Sequence, residues 1–201
     1  MFSVSTRQQP VRSPGRPASA TKAEVVELAR RAFLAGERVD VQAVAAELGL
    51  SRASIYRWFG SRDGLMGAVL ADEFESLLRL ADSRRKTTGA HRILEALDRT
   101  NHWLAASAPL QRYLDNERLV GLKVLTASDG PVQPKAVAAV EDLITRTEDE
   151  DGYHAILDRQ LLAYTLIRLL EAFLYNDTAA GIRGDVDRLR QVQAALLGIP
   201  E

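Results

Sequence analysis

Two short amphipathic segments meeting at Gly49 constrain this chain more than any other feature of its sequence. Val41 to Leu48 and Arg52 to Phe59 carry apolar residues at helical spacing, and each opens on a capping residue, Asp40 and Ser51. Helices this short, joined by a turn that contains glycine, must cross closely, and that geometry dictates residue types. Ala45 stands where the first helix touches the second, and a larger side chain there would push them apart. Gly49 falls at the turn, where a left-handed backbone conformation costs a residue with a Cβ extra energy. Val44, Leu48, Leu50, Ile55 and Trp58 take the inward positions. The small residue, the turn glycine and the apolar positions all agree on a helix-turn-helix.

The outer rim of such a hook suits a duplex. A recognition helix enters the major groove and presents its N-terminal side chains to base edges. Arg52, Ala53, Ser54 and Arg57 are the outward candidates. Arginine bonds guanine bidentately, whereas serine reads bases weakly and often bonds phosphate. Arg52 and Arg57 therefore belong at base edges or flanking phosphates. Gly60-Ser61 makes a break and a cap, and Arg62 opens a longer helix that runs towards Arg85. There Arg62 is either a phosphate contact, beside the main-chain N–H groups of the helix end, or a solvated surface charge.

Helical periodicity extends through most of the remaining chain. Thr21 with Glu24 reads as a capping box ahead of Val25, Leu28, Ala29, Ala32 and Phe33, and Gly36 ends that run. Further helices are expected over about 90–106, as a shorter pair over 110–127, and over about 134–148, 157–176 and 185–197. The acidic stretch Glu148-Asp149-Glu150-Asp151-Gly152 reads as a loop closing one of them. No period-2 run bounded by turn residues appears. Residues 1–20 hold Pro10, Pro14 and Pro17, several polar residues and three arginines, too little apolar surface to offset ordering entropy, and read as a basic arm. Gly15-Arg16-Pro17 would lay Arg16 in an adjacent minor groove, unless the arm makes no defined contact.

Charge divides along the chain. Residues 1–70 carry ten Lys/Arg against six Asp/Glu, and residues 71–201 carry sixteen against twenty-one, so one end is suited to a polyanion. With no cysteine, disulfide scaffolds and thiolate sites are excluded and a reducing cytoplasm fits. His91, His102 and His154 lack ligand spacing, so no metal is expected. The most apolar stretch, Leu161 to Leu174, is broken by Arg168 and Glu171 and falls short of a membrane span of about 20 residues. No nucleophile motif or phosphate-binding glycine loop is present, which argues against an enzyme and against a cofactor.

The run from Ala46 to Phe59 resembles the second and third helices of the TetR family of repressors, and Gly60-Ser61-Arg62-Asp63-Gly64-Leu65 is similar to the opening of that family's fourth helix. The resemblance covers Thr21 to Leu70. It departs at Gly36-Glu37-Arg38-Val39-Asp40, which lacks the usual aromatic after glycine and caps with Asp, and at Arg62, where Lys is common. It implies an all-α chain: a three-helix DNA-binding domain with a helix-turn-helix over 21–68, then a helical effector-binding and dimerisation domain over 69–201. It further implies that Ser54 and Tyr56 hold the DNA backbone, although Tyr56 also suits a half-buried packing role. The partners implied are double-stranded operator DNA, a small-molecule effector and a second copy of the chain. An effector-independent architectural DNA binder is the alternative.

In the second domain, Leu162, Leu166, Leu169, Leu170 and Phe173 form one apolar stripe and Val186, Leu189, Val192, Leu196 and Leu197 another. Either they pair with their symmetry mates in a four-helix interface or they fill the monomer core. The turn from Gly130 to Pro134 and the stretch from Leu170 to Tyr175 are similar to the QsdR-like subgroup of the family, which is associated with regulation of lactone-signal breakdown. Trp103, Leu104, Tyr113, Leu122, Leu125, Leu166 and Phe173 are the expected pocket lining. Arg168 either pairs with Glu171 or, like Tyr175, bonds a ligand carbonyl. The helix from Arg62 to about Arg85 would be the lever joining the two sites.

Overall fold

The computed structural model describes residues 20–175 and 185–200. The arm and Arg16 therefore lie outside the described residues. Among the described residues there are ten helices and no strand. They are α1 (Lys22–Leu34), α2 (Val41–Glu47), α3 (Arg52–Phe59), α4 (Arg62–Ser83), α5 (Gly89–Ala106), α6 (Ala108–Asn116), α7 (Arg118–Thr126), α8 (Val132–Asp151), α9 (Arg159–Leu174) and α10 (Val186–Leu196). None is long and apolar enough to cross a membrane.

Helix starts follow their caps. Thr21 Oγ1 accepts from Glu24 N at 3.2 Å while the Glu24 carboxylate accepts from Thr21 N at 2.6 Å, which closes the capping box. Asp40, Ser51 and Ser61 cap α2, α3 and α4 through their side-chain oxygens. Gly49 adopts φ 64° with open space where a Cβ would stand, so the turn there requires the backbone angle and not the room.

Helix α4 is the axis of the molecule. It packs on α1, α3, α5, α7 and α8. Leu65, Met66, Val69, Ala71, Phe74 and Leu78 are buried along its length and belong to one continuous apolar cluster that reaches from Val25 to Leu197. Helices α8, α9 and α10 close the far side.

Three expectations change. Helix α8 begins at Val132, not near Pro134; proline fits there because a first-turn N–H has no intrahelical acceptor to lose. The acidic stretch is helical through Asp151 rather than a loop. Four acids at a helix C-terminus oppose the dipole, but Arg92 meets Glu150 at 2.8 Å and Asp151 at 3.3 Å, and Arg159 meets Glu148 at 3.4 Å. Lastly, Leu162, Leu166, Leu170, Leu189 and Leu197 are buried within the chain, and Leu169, Phe173, Val186 and Leu196 pack partly buried against that core. Most of both stripes therefore packs within the monomer, while Val192 of the second stripe is exposed, as are Leu161 and Tyr164 of α9.

Candidate nucleic-acid interface and effector cavity

Ile55 is fully buried and anchors α3 within the head, the N-terminal unit of α1, α2 and α3, with Val44 and Ala45 of α2 also buried. That anchoring fixes which side of α3 faces away. Arg52, Ala53, Tyr56 and Arg57 are exposed, Ser54 is half-exposed, and Trp58 and Phe59 lean back on the core. The end of α3 and the start of α4 approach so closely that a Cβ on Gly64 would stand 1.9 Å from the Phe59 carbonyl oxygen.

Within the rim the side chains organise one another. Arg52 Nη2 donates to Tyr56 Oη at 3.3 Å and its guanidinium lies 5.7 Å from that ring's centre. Ser51 and Ser54 share a hydrogen bond between hydroxyls at 3.0 Å. Arg57 and Ala53 both stand open to solvent. A convex face with two arginines, a tyrosine hydroxyl and a serine can offer donors to phosphates and base edges together.

Arg62 is placed differently. Its Nε donates to Val39 O at 2.9 Å, and Nη1 and Nη2 donate to the two carboxylate oxygens of Glu117 at 2.6 and 2.8 Å. Its side chain is only 20% exposed. The hydrogen bonds from Arg62 hold the Glu117 carboxyl below the usual glutamate range. Glu117, in the link between α6 and α7, carries no local sequence signal for this role, because the partner is 55 residues away.

The second domain holds an apolar cavity of about 180 Å3 between α4, α5, α6 and the end of α9. Trp103, Leu104, Leu125 and Tyr175 line it as the sequence suggests. Burial pushes the Tyr175 phenol up, with the Glu171 charge adding to the effect. Tyr113 instead lines a separate crevice of about 390 Å3 beside Arg62 and Glu117. Leu122 and Phe173 pack partly buried against the core away from the cavity lining, and Leu166 is wholly buried. Arg168 pairs with Glu171 at 2.6 Å and also donates to Thr126 O, Ser128 Oγ and Tyr164 Oη. It ties α9 to the end of α7.

Most of the remaining wall comes from positions that sequence reasoning missed. Phe33 arrives from α1 in the head, and Leu70, Glu73, Phe74 and Leu77 from α4. Glu73 is paired with Arg30 of α1 at 2.6 Å. Apolar residues on the head and on the connecting helix read as ordinary core, and nothing local marks them as a cavity wall.

Residues 25–69 match the family model described as bacterial regulatory proteins, tetR family, and residues 88–198 match the model described as tetracyclin repressor-like, C-terminal domain. Among solved structures, the chain is similar to the R. erythropolis transcriptional repressor QsdR from the TetR family. That likeness has 26% identity and a TM-score of 0.80, and covers 90% of this chain and 95% of that one. The TetR family repressor AlkX from Dietzia sp. strain DQ12-45-1b, implicated in biodegradation of n-alkanes, shares the fold at 18% identity and a TM-score of 0.62, over 89% and 96% of the two chains. HTH-type transcriptional regulators of Mycobacterium bovis and Mycobacterium tuberculosis are 34% identical over 71 residues, which is 34% of this chain. The match spans 30% of the length of those curated relatives.

Proposed function

The chain belongs to the TetR family of bacterial regulatory proteins, and from that premise we propose that it is a dimeric transcriptional repressor released from operator DNA by a small apolar effector. The observation that carries the reading is the face of α3: Ile55 holds the helix to the head while Arg52, Ala53, Tyr56 and Arg57 stand outward. The relatives named as repressors favour repression over activation.

Arg52, with its Tyr56 partner, is placed for base edges or phosphate, and Arg57 for a base or the flanking strand. Ser54 and Tyr56 hold the backbone. The effector occupies the cavity walled by Trp103, Leu104, Leu125 and Tyr175, where an apolar lining rewards an apolar body and the Tyr175 hydroxyl and Glu73 offer orientation. An effector opens the repressor only by binding the DNA-incompetent arrangement more tightly. Phe33 belongs to both the cavity wall and the head, and Glu73 of the wall is bonded to Arg30 of the head, so these residues link the two. Two subunits would meet through the exposed side of α9, where Leu161 and Tyr164 are uncovered.

Selection of bound duplexes from a random DNA pool tests the reading. A palindrome with half-sites about one helical turn apart is the expected product, and Arg52→Ala should relax its base preference. Absence of any enriched sequence would overturn it.

A further inference from the structure

We propose that Glu117 and operator phosphate compete for Arg62, and that Tyr113 takes over Glu117 when Arg62 leaves. The proposal rests on the reading above and takes up the phosphate-contact alternative of the sequence analysis, in which Arg62 at the N-terminus of α4 meets DNA. As the structure stands, Arg62 cannot serve that end. Nε, Nη1 and Nη2 are all committed, to Val39 O and to both oxygens of Glu117. A phosphate can be met only after the fork on Glu117 is broken.

Breaking that fork alone would be costly. Glu117 is 22% exposed, and its other cation, Arg38, is 3.8 Å away on a side chain that is 79% exposed. A half-buried carboxylate stripped of its donors loses more than the pair was worth in net terms. Tyr113 supplies the missing donor. It lies one turn before Glu117, at the end of α6, and its carbonyl accepts from Glu117 N at 2.9 Å. Tyr113, Arg62 and Glu117 line the same crevice. The Tyr113 side chain is 8% exposed, and its hydroxyl is buried with no hydrogen-bond partner. An unpaired buried hydroxyl is itself a cost in the present arrangement. Moving the two Nη groups of Arg62 to phosphate, with Nε kept on Val39 O, and the Tyr113 O–H to one oxygen of Glu117 leaves each of these residues with a partner. Two arrangements of similar energy, differing in which donor Glu117 holds, are what a switch requires. Leu110, one turn further back on α6, lines the apolar cavity, so the helix that leads into Glu117 also touches the effector's place.

Binding of the full chain to a short fluorescent duplex of mixed sequence, titrated at several salt concentrations, tests the exchange, because phosphate contacts are independent of sequence. Arg62→Ala is expected to weaken binding and to lower the salt slope by about 0.9. Glu117→Gln, which keeps the shape and removes the charge, is expected to tighten binding about three- to tenfold, with no gain in the Arg62→Ala background. Tyr113→Phe is expected to weaken binding about threefold in the otherwise unaltered chain and to do nothing beside Glu117→Gln. Thermal unfolding of each variant verifies folding, and Tyr113→Phe should not lower the midpoint, since it deletes a hydroxyl that has no partner. Glu117→Gln leaving affinity unchanged or weaker would overturn the exchange while Arg62 remained a DNA contact. A Glu117→Gln gain that persisted without Arg62 would also overturn it, showing general repulsion instead. Arg62→Ala with no effect on affinity or slope would remove the phosphate contact and the exchange together.

Discussion

Arg92 shows how strongly a single side chain can be committed in this molecule. It is 1% exposed and donates to Asp82 through Nε at 2.8 Å and Nη2 at 3.1 Å, and to Glu150 through Nη1 at 2.8 Å. Burial pushes the Asp82 carboxyl up, but the hydrogen bonds and charge of Arg92 outweigh it and hold the group below its ordinary value. Arg92→Met removes the main cation and leaves buried Asp82 with only the longer contacts to Arg146 at 3.5 Å and Arg85 at 3.8 Å, so a loss of about 3 kcal/mol in urea unfolding is expected. Glu171 has the opposite balance: burial raises its pKa, Arg168 only partly offsets this, and Oε1 has no partner. A carboxyl whose folded pKa lies above its unfolded value lowers stability as pH rises through that interval. Glu171→Gln should therefore gain on the wild type as unfolding is measured from about pH 4 to pH 7, the lower limit being near the ordinary glutamate value. A constant difference between the two proteins would contradict that sign.

The helices themselves were largely legible because their signals are local. Thr21 with Glu24, Asp40, Ser51 and Ser61 mark starts that the side chains then cap. What escaped was set by distant partners. The acidic end of α8 reads as a loop until Arg85, Arg92 and Arg159 are brought to it from other helices. The stripe on α9 reads as a dimer face with a monomer core as the alternative, and the packing of α8 and α10 around it buries most of it within the chain. The rim of α3 was legible because one buried residue, Ile55, fixes the facing of its neighbours, whereas the capture of Arg62 by Glu117 was not. Gly67 belongs to the same class of hidden constraint. It reads as a weak point inside α4, yet a Cβ there would lie 2.1 Å from Pro131 Cγ in the turn before α8. A proline ring cannot turn aside as a flexible side chain would, so the gain in helix propensity from alanine is outweighed. Gly67→Ala is expected to lower stability by about 1–3 kcal/mol, read as a reduced thermal midpoint.

Across the whole molecule α4 and one continuous apolar core join head and body, and several side-chain contacts reinforce the junction. Phe33 brings α1 to the wall of the apolar cavity, Arg30 meets Glu73 at 2.6 Å, and Arg62 meets Glu117. A head of about 50 residues is marginal on its own, because so small a unit buries a low share of its surface. Its stability must therefore be borrowed through these contacts, and a signal from the cavity can reach the head by weakening them. The chain has two tryptophans, one on each side of the junction: Trp58 on α3 and Trp103 on α5, at the cavity. In Trp103→Phe the remaining fluorescence reports the head, and in Trp58→Phe it reports the body. Urea transitions followed in the two variants should coincide, as for a single cooperative unit. Adding Phe33→Ala deletes the aromatic link at a cost of about 3–5 kcal/mol. The loss falls on the smaller partner, so the Trp58 transition should then move to lower urea than the Trp103 transition. Transitions already separate without Phe33→Ala would mean that the head stands alone, and the shared core could then carry no message from the effector to α3.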